Sequence, residues 1–394
     1  MRSFEVFCRF LLLGCTSFGG PAAHVGYFRA LFVERLKWLE DETFGRLFAL
    51  SQFLPGPGSS QMGFAIGCHR AGIAGGFAAF AGFTLPSFLI MLGLAVSLGG
   101  ETATMPVAIQ GMLHGLKLLA VVVVADATLG MFRSFCKSRL TAGLCVATAA
   151  ALLILPGMFS QFGALAIAAV IGVFFLRANV DASTVESPRG KGRIHWLPLA
   201  LFAVLFAASP VLMKISGAPS IFAGFYQAGS LVFGGGHVVL PLLQSHSVSS
   251  GLEQESFLLG YAAAQGVPGP MFTLATFLGA ALSPAAALQG AALATVGIFL
   301  PGFLLLLGFK DAWQALTHAP RLNGAVNGLN AAVVGLLVAA CYQPVFTSSV
   351  GSPLDFAIVV AGFYLLRSLK IPVLALVLTF AGFGALLQLL QLIH

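Results

Sequence analysis

The stretch "SQFLPGPGSSQ" (51–61) sets two prolines around a glycine, with Gln52 before them and Ser59, Ser60 and Gln61 after. Proline has no amide hydrogen and its ring collides with the preceding turn, so Pro55, Gly56 and Pro57 must end one helix and start another. A second copy, "AQGVPGPMFTL" (264–274), carries Gln265, Pro268, Gly269, Pro270 and Thr273. A proline at the first helical position leaves a turn of amides without carbonyl partners, at the positive end of the helix dipole. Such a terminus takes an anion without a fixed charge, and serine, threonine and glutamine add neutral donors. Two glycine breaks accompany these, "FGGP" (18–21) with Gly19 and Gly20, and "FGGG" (233–236) with Gly234 and Gly235. His24 and His237 follow them as protonatable groups. A single proline–glycine break reads as a tight turn, and glycine is common in membrane helices. Two copies, each with a glutamine three residues before the first proline, favour a binding site.

Few charges lie inside apolar stretches. Lys117 stands within "GMLHGLKLLAVV" and Asp126 nine residues later. An intramembrane charge costs about 3 kcal/mol on insertion scales and is by default a functional candidate. Nine residues is about two and a half helical turns, so the two face opposite sides and do not pair with each other. Lys117 joins the substrate set; Asp126, with His24, is a candidate for proton coupling or pairs with a neighbour near a helix end. Glu5 and Arg9, at i and i+4, are expected to pair.

The elements that must hold these residues are membrane helices. The 394 residues are 58% hydrophobic and 8% charged, against about 25% charged in soluble domains. Apolar runs such as "ALAIAAVIGVFFL" reach, with their flanks, the roughly 20 residues of a span. The formal charge of +7 sits in short loops, where it sets orientation and says nothing of nucleic acid. Six cysteines show no metal or redox spacing, and Cys15 after "LLLG" reads as mature structure, not a lipoprotein cleavage site. No metal or cofactor is expected.

The motifs recur in order. "SFGGPAAHVG" (17–26) matches "VFGGGHVVLP" (232–241), and "QFLPGP" (52–57) matches "QGVPGP" (265–270). "GFTLPSF" (82–88) matches "GIFLPGF" (297–303), and "GLKLLAVVVVADA" (115–127) matches "GLNAAVVGLLVAA" (328–340), at a near-constant offset. The reading is a repeat over 1–180, a linker with an unpaired helix over 181–218, and a second repeat over 219–394. Loop charges alternate oppositely in the two: Arg29, Arg35, Lys37 and Arg46 face a partner loop without lysine or arginine, whereas the partner of "GGETATM" carries Lys310 and Arg321. Basic residues stay cytoplasmic. The predicted fold is therefore an all-α polytopic membrane protein of two inverted-topology repeats, joined by an extra transmembrane helix. Helices break or re-enter at the FGG and PGP motifs. Segments 3–28 and 43–68 are predicted to be hairpins or pairs of half-helices. Full spans are predicted at 72–99, 105–130, 139–156 and 159–177, and at 283–309, 323–346, 353–367 and 371–392. The N-terminus is cytoplasmic and the C-terminus external.

"TSFGGPAAHVGYFR", "QFLPGPGSSQ", "FGGGHVVLPLL" and "AAQGVPGPMFTLATFLGA" resemble the two-domain chromate ion transporter family over nearly the whole chain. The resemblance implies a multi-pass carrier in the bacterial inner membrane that exports chromate and confers chromate resistance, with chromate, sulfate as a near neighbour, and lipid as partners. A homodimer is compatible with it. Other readings are a carrier for sulfate or another oxyanion, and a passive anion channel. A chromate reductase is disfavoured, since no flavin, haem or thiol-pair motif is present.

Overall fold

The computed structural model describes residues 2–18, 20–98, 106–176, 193–233, 239–312 and 320–391. Gly19, Gly234, Gly235 and His237 lie outside them. The described residues are helical, with no strand among them. Among the described residues, five helical stretches are long and apolar enough to cross a membrane: Gly58–Ser97, Val107–Phe135, Pro284–Phe309, Pro320–Ser349 and Val373–Leu390.

The first repeat opens with α1 (Arg2–Thr16) and α2 (Gly20–Phe28), separated at the FGG motif. Phe10 of α1 meets Phe28 edge-on with ring centroids 5.5 Å apart, so the two helices double back on each other. The pair α3 (Asp41–Phe53) and α4 (Gly58–Leu98) flanks the first PGP motif. Thr43 and Arg46, early in α3, line one cavity with Cys68 and His69, so the start of α4 returns beside α3. Glu5, Trp38 and Arg70 then gather where both hairpins open: Arg70 bonds Glu5 at 3.3 Å and stacks 4.8 Å over the Trp38 ring. The expected Glu5–Arg9 pair gives way to this contact, because a cation on the neighbouring hairpin reaches Glu5.

Although nearly continuous, α4 is two helices. Ala71 (φ −145°) and Gly72 (φ 66°) break it, and Gly67 then packs backbone-to-backbone against Gly75. The second repeat repeats this turn with Gly279 on Gly290. The long helix α5 (Val107–Phe135) follows, running five residues past the predicted end, then α6 (Arg139–Ile154) and α7 (Met158–Phe175). Ser138 starts α6 with a capping box closed by Thr141.

The unpaired helix α8 (Trp196–Leu212) lies on the second repeat, where Tyr226 donates to the Phe202 carbonyl at 3.2 Å. That repeat comprises α9 (Ala218–Ser230), α10 (Val239–Ser249), α11 (Gln254–Gly266), α12 (Leu274–Leu282), α13 (Ala287–Phe309), α14 (Pro320–Ala340), α15 (Pro353–Arg367) and α16 (Val373–Gln391). The bounds of α15 match the sequence reading, and its Ser352–Asp355 capping box occupies the place of Ser138–Thr141.

The two repeats interlock by exchange. Gly111 and Gly115 of α5 leave no room for a Cβ against Gly384 and Phe380 of α16; Gly324 and Gly328 of α14 do the same against Gly172 and Ala168 of α7. Each repeat thus seats its last helix on the long helix of the other, and the contacts are reciprocal, as an approximate two-fold rotation requires.

Candidate functional site

Both PGP motifs sit on the junction between the repeats. The Gly56 amide donates to the Val232 carbonyl at 2.7 Å, and the Gly269 amide donates to the Ser17 carbonyl at 2.9 Å. Val232 and Ser17 each precede an FGG motif, so each repeat's PGP break is tied to the other repeat's FGG break. Gly56 (φ 126°) and Gly269 (φ 97°) occupy the left-handed region that only glycine takes without strain. Their Cα atoms press on the proline-bearing helices of the opposite repeat: a Cβ on Gly56 would stand 2.9 Å from Gly302 Cα, and one on Gly269 3.0 Å from Ser87 Oγ.

This geometry changes what the breaks can donate. The amides of Gly56 and Gly269 are consumed holding the repeats together. Gln61, fully buried, is a strut: its Nε2 donates to the Pro55 carbonyl at 2.9 Å and the Gly302 carbonyl at 3.1 Å. Gln265 Nε2 reaches Met271 Sδ at 3.2 Å, and Thr273 Oγ1 donates to the Pro270 carbonyl at 2.8 Å. Gln52 lies in α3 with its amide against Gly58. The donors that remain are the first-turn amides of α4, from Gly58 to Ser60, which have no helical carbonyl behind them.

Around that turn lies a buried polar cluster from the first repeat. His24 is fully buried; its Nδ1 is 3.3 Å from Ser59 Oγ, and its ring meets Phe83 edge-on at 5.1 Å. The Nε2 of His24 and the hydroxyls of Ser17, Ser60 and Thr84 are buried without a hydrogen-bond partner among the described residues. An unpaired buried polar group costs about 1–3 kcal/mol; of these, His24 stands on Ser59 in the first turn of α4 and Ser60 is the next residue of that turn, so the helix start has side-chain groups free to meet a guest. Ser17 and Thr84 escaped the sequence reading, although Ser17 stands directly before the FGG motif.

Next to the cluster, across the Gly269–Ser17 bond, a cavity of ≈ 200 Å³ is lined by Gly20, Gln265, Gly269, Met271 and Asp126 among others. Arg367 donates to Asp126 at 2.9 Å. Arg367 also escaped the sequence reading. A parallel, in-register pairing carries it, since His114 meets Asp355 at 2.8 Å across the same sequence separation. Lys117 lies apart from both breaks, its ammonium 2.8 Å from Glu255 of α11. No group of three or more histidine, cysteine, aspartate or glutamate residues suited to a metal ion occurs among the described residues.

The family model described as "Chromate transporter" matches residues 4–175 and 219–386. An uncharacterized transporter of Methanocaldococcus jannaschii is 29% identical over 353 residues, covering 85% of this chain and 82% of its own. The chromate transport protein of Pseudomonas aeruginosa is 29% identical over 360 residues, 84% of this chain and 79% of its own. That of Cupriavidus metallidurans is 28% identical over 350 residues, 84% and 80% respectively. No solved structure matches the chain.

Proposed function

The chain belongs to the chromate transporter family, and from that membership we propose that it carries chromate outward across the bacterial inner membrane as a secondary transporter and so confers resistance. The observation that carries the reading is the pair of reciprocal bonds, Gly56 to Val232 and Gly269 to Ser17. They hold both broken segments at one junction, beside buried hydroxyls that lack partners. Chromate is a tetrahedral oxydianion that accepts hydrogen bonds from all sides. Ser17, Ser59 and Ser60 hydroxyls and the first-turn amides of α4 supply neutral donors, so the guest is held without a countercharge that would retain it.

The driving force follows from the charge. Two negative charges moving out of a negative-inside membrane release about 4–5 kcal/mol per 100 mV. His24 and Asp126 are the proposed groups for proton coupling: His24 contacts Ser59 in the first turn of α4, and Asp126 lines the cavity beside the Gly269–Ser17 bond. Asp126 is neutralised by Arg367 when ionised, which keeps the cavity from repelling a dianion.

An inverted arrangement of the repeats, with the N-terminus cytoplasmic and the C-terminus external, is supported by which charges share a face. Arg46 and His69 of the first repeat line one cavity with Lys310 of the second, and Arg193 and His195 line another with Lys310. Cytoplasmic loops are the ones enriched in lysine and arginine.

The test is radiolabelled chromate flux in everted vesicles under an imposed potential, with and without a pH gradient and with sulfate as competitor. Potential-driven chromate uptake into these vesicles, only weakly suppressed by sulfate, is expected. Absence of chromate movement, or sulfate moving much faster, overturns the substrate assignment.

A further inference from the structure

A second cavity, of ≈ 480 Å³, lies between α3, the first part of α4 and the end of α13, away from the junction. Its mouth carries Arg46, His69 and Lys310, drawn from both repeats, with Asp311 beside them. Its floor is Leu50, Ala65 and Leu306, all buried. Leu50 stands one helical turn before Leu54, where α3 ends and the first PGP break begins.

The charges at this mouth are available. Among the described residues neither Arg46 nor Lys310 makes an ion pair; Arg46 donates only to the Thr43 hydroxyl, at 3.0 Å. The acidic group, Asp311, is engaged by His195 at 2.7 Å. Both cations are exposed to water, so they keep their charge without cost.

The approximate two-fold rotation supplies an internal control. It places Leu259 where Arg46 stands, Ala281 where His69 stands and Ala95 where Lys310 stands. The cations therefore occur at one end of the molecule only. The tendency of basic residues to stay cytoplasmic explains the sign of that end. It does not explain a cavity between two of them that is floored one turn from a substrate break.

We propose that Arg46 and Lys310 form a capture site for divalent oxyanions at the cytoplasmic mouth of the α3–α4 hairpin, feeding the junction above. The proposal rests on the transport reading for its direction, but not for the binding itself. A cleft of one sign, walled by apolar groups, concentrates counter-ions and raises association rates, and salt weakens the effect steeply. Capture thus raises the effective concentration of substrate at the mouth and leaves the turnover step untouched.

Two measurements test it. In everted vesicles, whose cytoplasmic face is outward, the double variant Arg46→Gln/Lys310→Gln is expected to raise the chromate KM about 5- to 10-fold with kcat within about twofold. Its kcat/KM should lose most of its dependence on ionic strength, and Arg46→Lys should behave as wild type. An unchanged KM and salt dependence, or a fall in kcat alone, overturns the site. In the second measurement, radiolabelled chromate and sulfate are titrated into the purified protein in nanodiscs of uncharged lipid, which needs no transport. Binding weakened by the double variant supports the site even if wild-type vesicles move no chromate; that outcome would sink the transport reading alone. If anionic lipid added to the nanodiscs, and not the free oxyanions, titrates the two residues, the cavity is a headgroup site and the proposal fails.

Discussion

Replacing Gly56 by alanine probes the bond that joins the repeats. The residue sits at φ 126°, where a non-glycine side chain costs about 1–3 kcal/mol of backbone strain. The added Cβ would stand 2.9 Å from Gly302 Cα and 3.0 Å from Gln61 Nε2, well inside the ≈ 3.5–4.0 Å of carbon contacts. Gly302 Cα is backbone, so relief requires α13 and the break to separate by a good fraction of an ångström. That movement stretches the 2.7 Å bond from the Gly56 amide to Val232, worth about 1 kcal/mol. Together about 2–4 kcal/mol falls on any state in which the break touches the second repeat. Chromate flux in everted vesicles should drop at least about tenfold, because 1.4 kcal/mol already changes a population tenfold. Gly269→Ala should be milder, since its Cβ meets the rotatable Ser87 hydroxyl at 3.0 Å. Gly93→Ala is the control, with nothing within 4 Å of a Cβ. The reasoning is refuted if Gly56→Ala, present in the membrane at wild-type amounts, carries chromate at the wild-type rate.

Ser60→Ala removes a buried hydroxyl that has no partner among the described residues, so thermal stability should hold or rise while the chromate KM rises at least about 10-fold, the value of one hydrogen bond to a charged guest. Equal losses of stability and affinity would make Ser60 structural. Asp126→Asn and Arg367→Gln should each impair transport more than the double variant does, because each single change strands a half-buried charge; additive defects in a double-mutant cycle would show that the pair is not coupled. Lys117→Met should leave the chromate KM within about twofold, the ordinary outcome for a pair with one exposed partner, since its ammonium sits on Glu255 and not at the junction. A large rise in KM would return Lys117 to the site.

The breaks were legible in the sequence because proline and glycine act locally: Pro55–Pro57 and Pro268–Pro270 must end helices in any tertiary setting. Helix bounds were legible where a cap fixes them, as at Ser352. Partner choice between helices was not, because it depends on surfaces far apart in the chain. A signal did exist: Gly111 and Gly115, like Gly324 and Gly328, are spaced for close helix crossing. That pattern marks a helix as able to be approached closely without saying by which neighbour. The fate of the break amides was also hidden. No local pattern shows that a carbonyl from the opposite repeat meets the Gly56 and Gly269 amides.

That consumption of amides decides where the chemistry resides. The sequence offset between the two halves aligns Val239 with His24, Phe272 with Ser59, Leu274 with Gln61 and Ala339 with Asp126. At these four positions the first repeat carries polar or titratable groups and the second apolar ones, although Gln265 and Thr273 keep polar side chains at the second break. A binding site on the rotation axis would present the same donors from both sides. The proposed donors, Ser17, Ser59, Ser60 and the first-turn amides of α4, all come from the first repeat instead. Motion of one repeat against the other must break Gly56–Val232 or Gly269–Ser17, two bonds of similar length and equivalent position. The two bonds add a similar cost to either opening, on the order of 1 kcal/mol each, beside that of the glycine-packed helix contacts. For the proposed potential-driven carrier, near-equal costs at the two bonds would leave the choice of open face to the dianion's charge and the membrane potential.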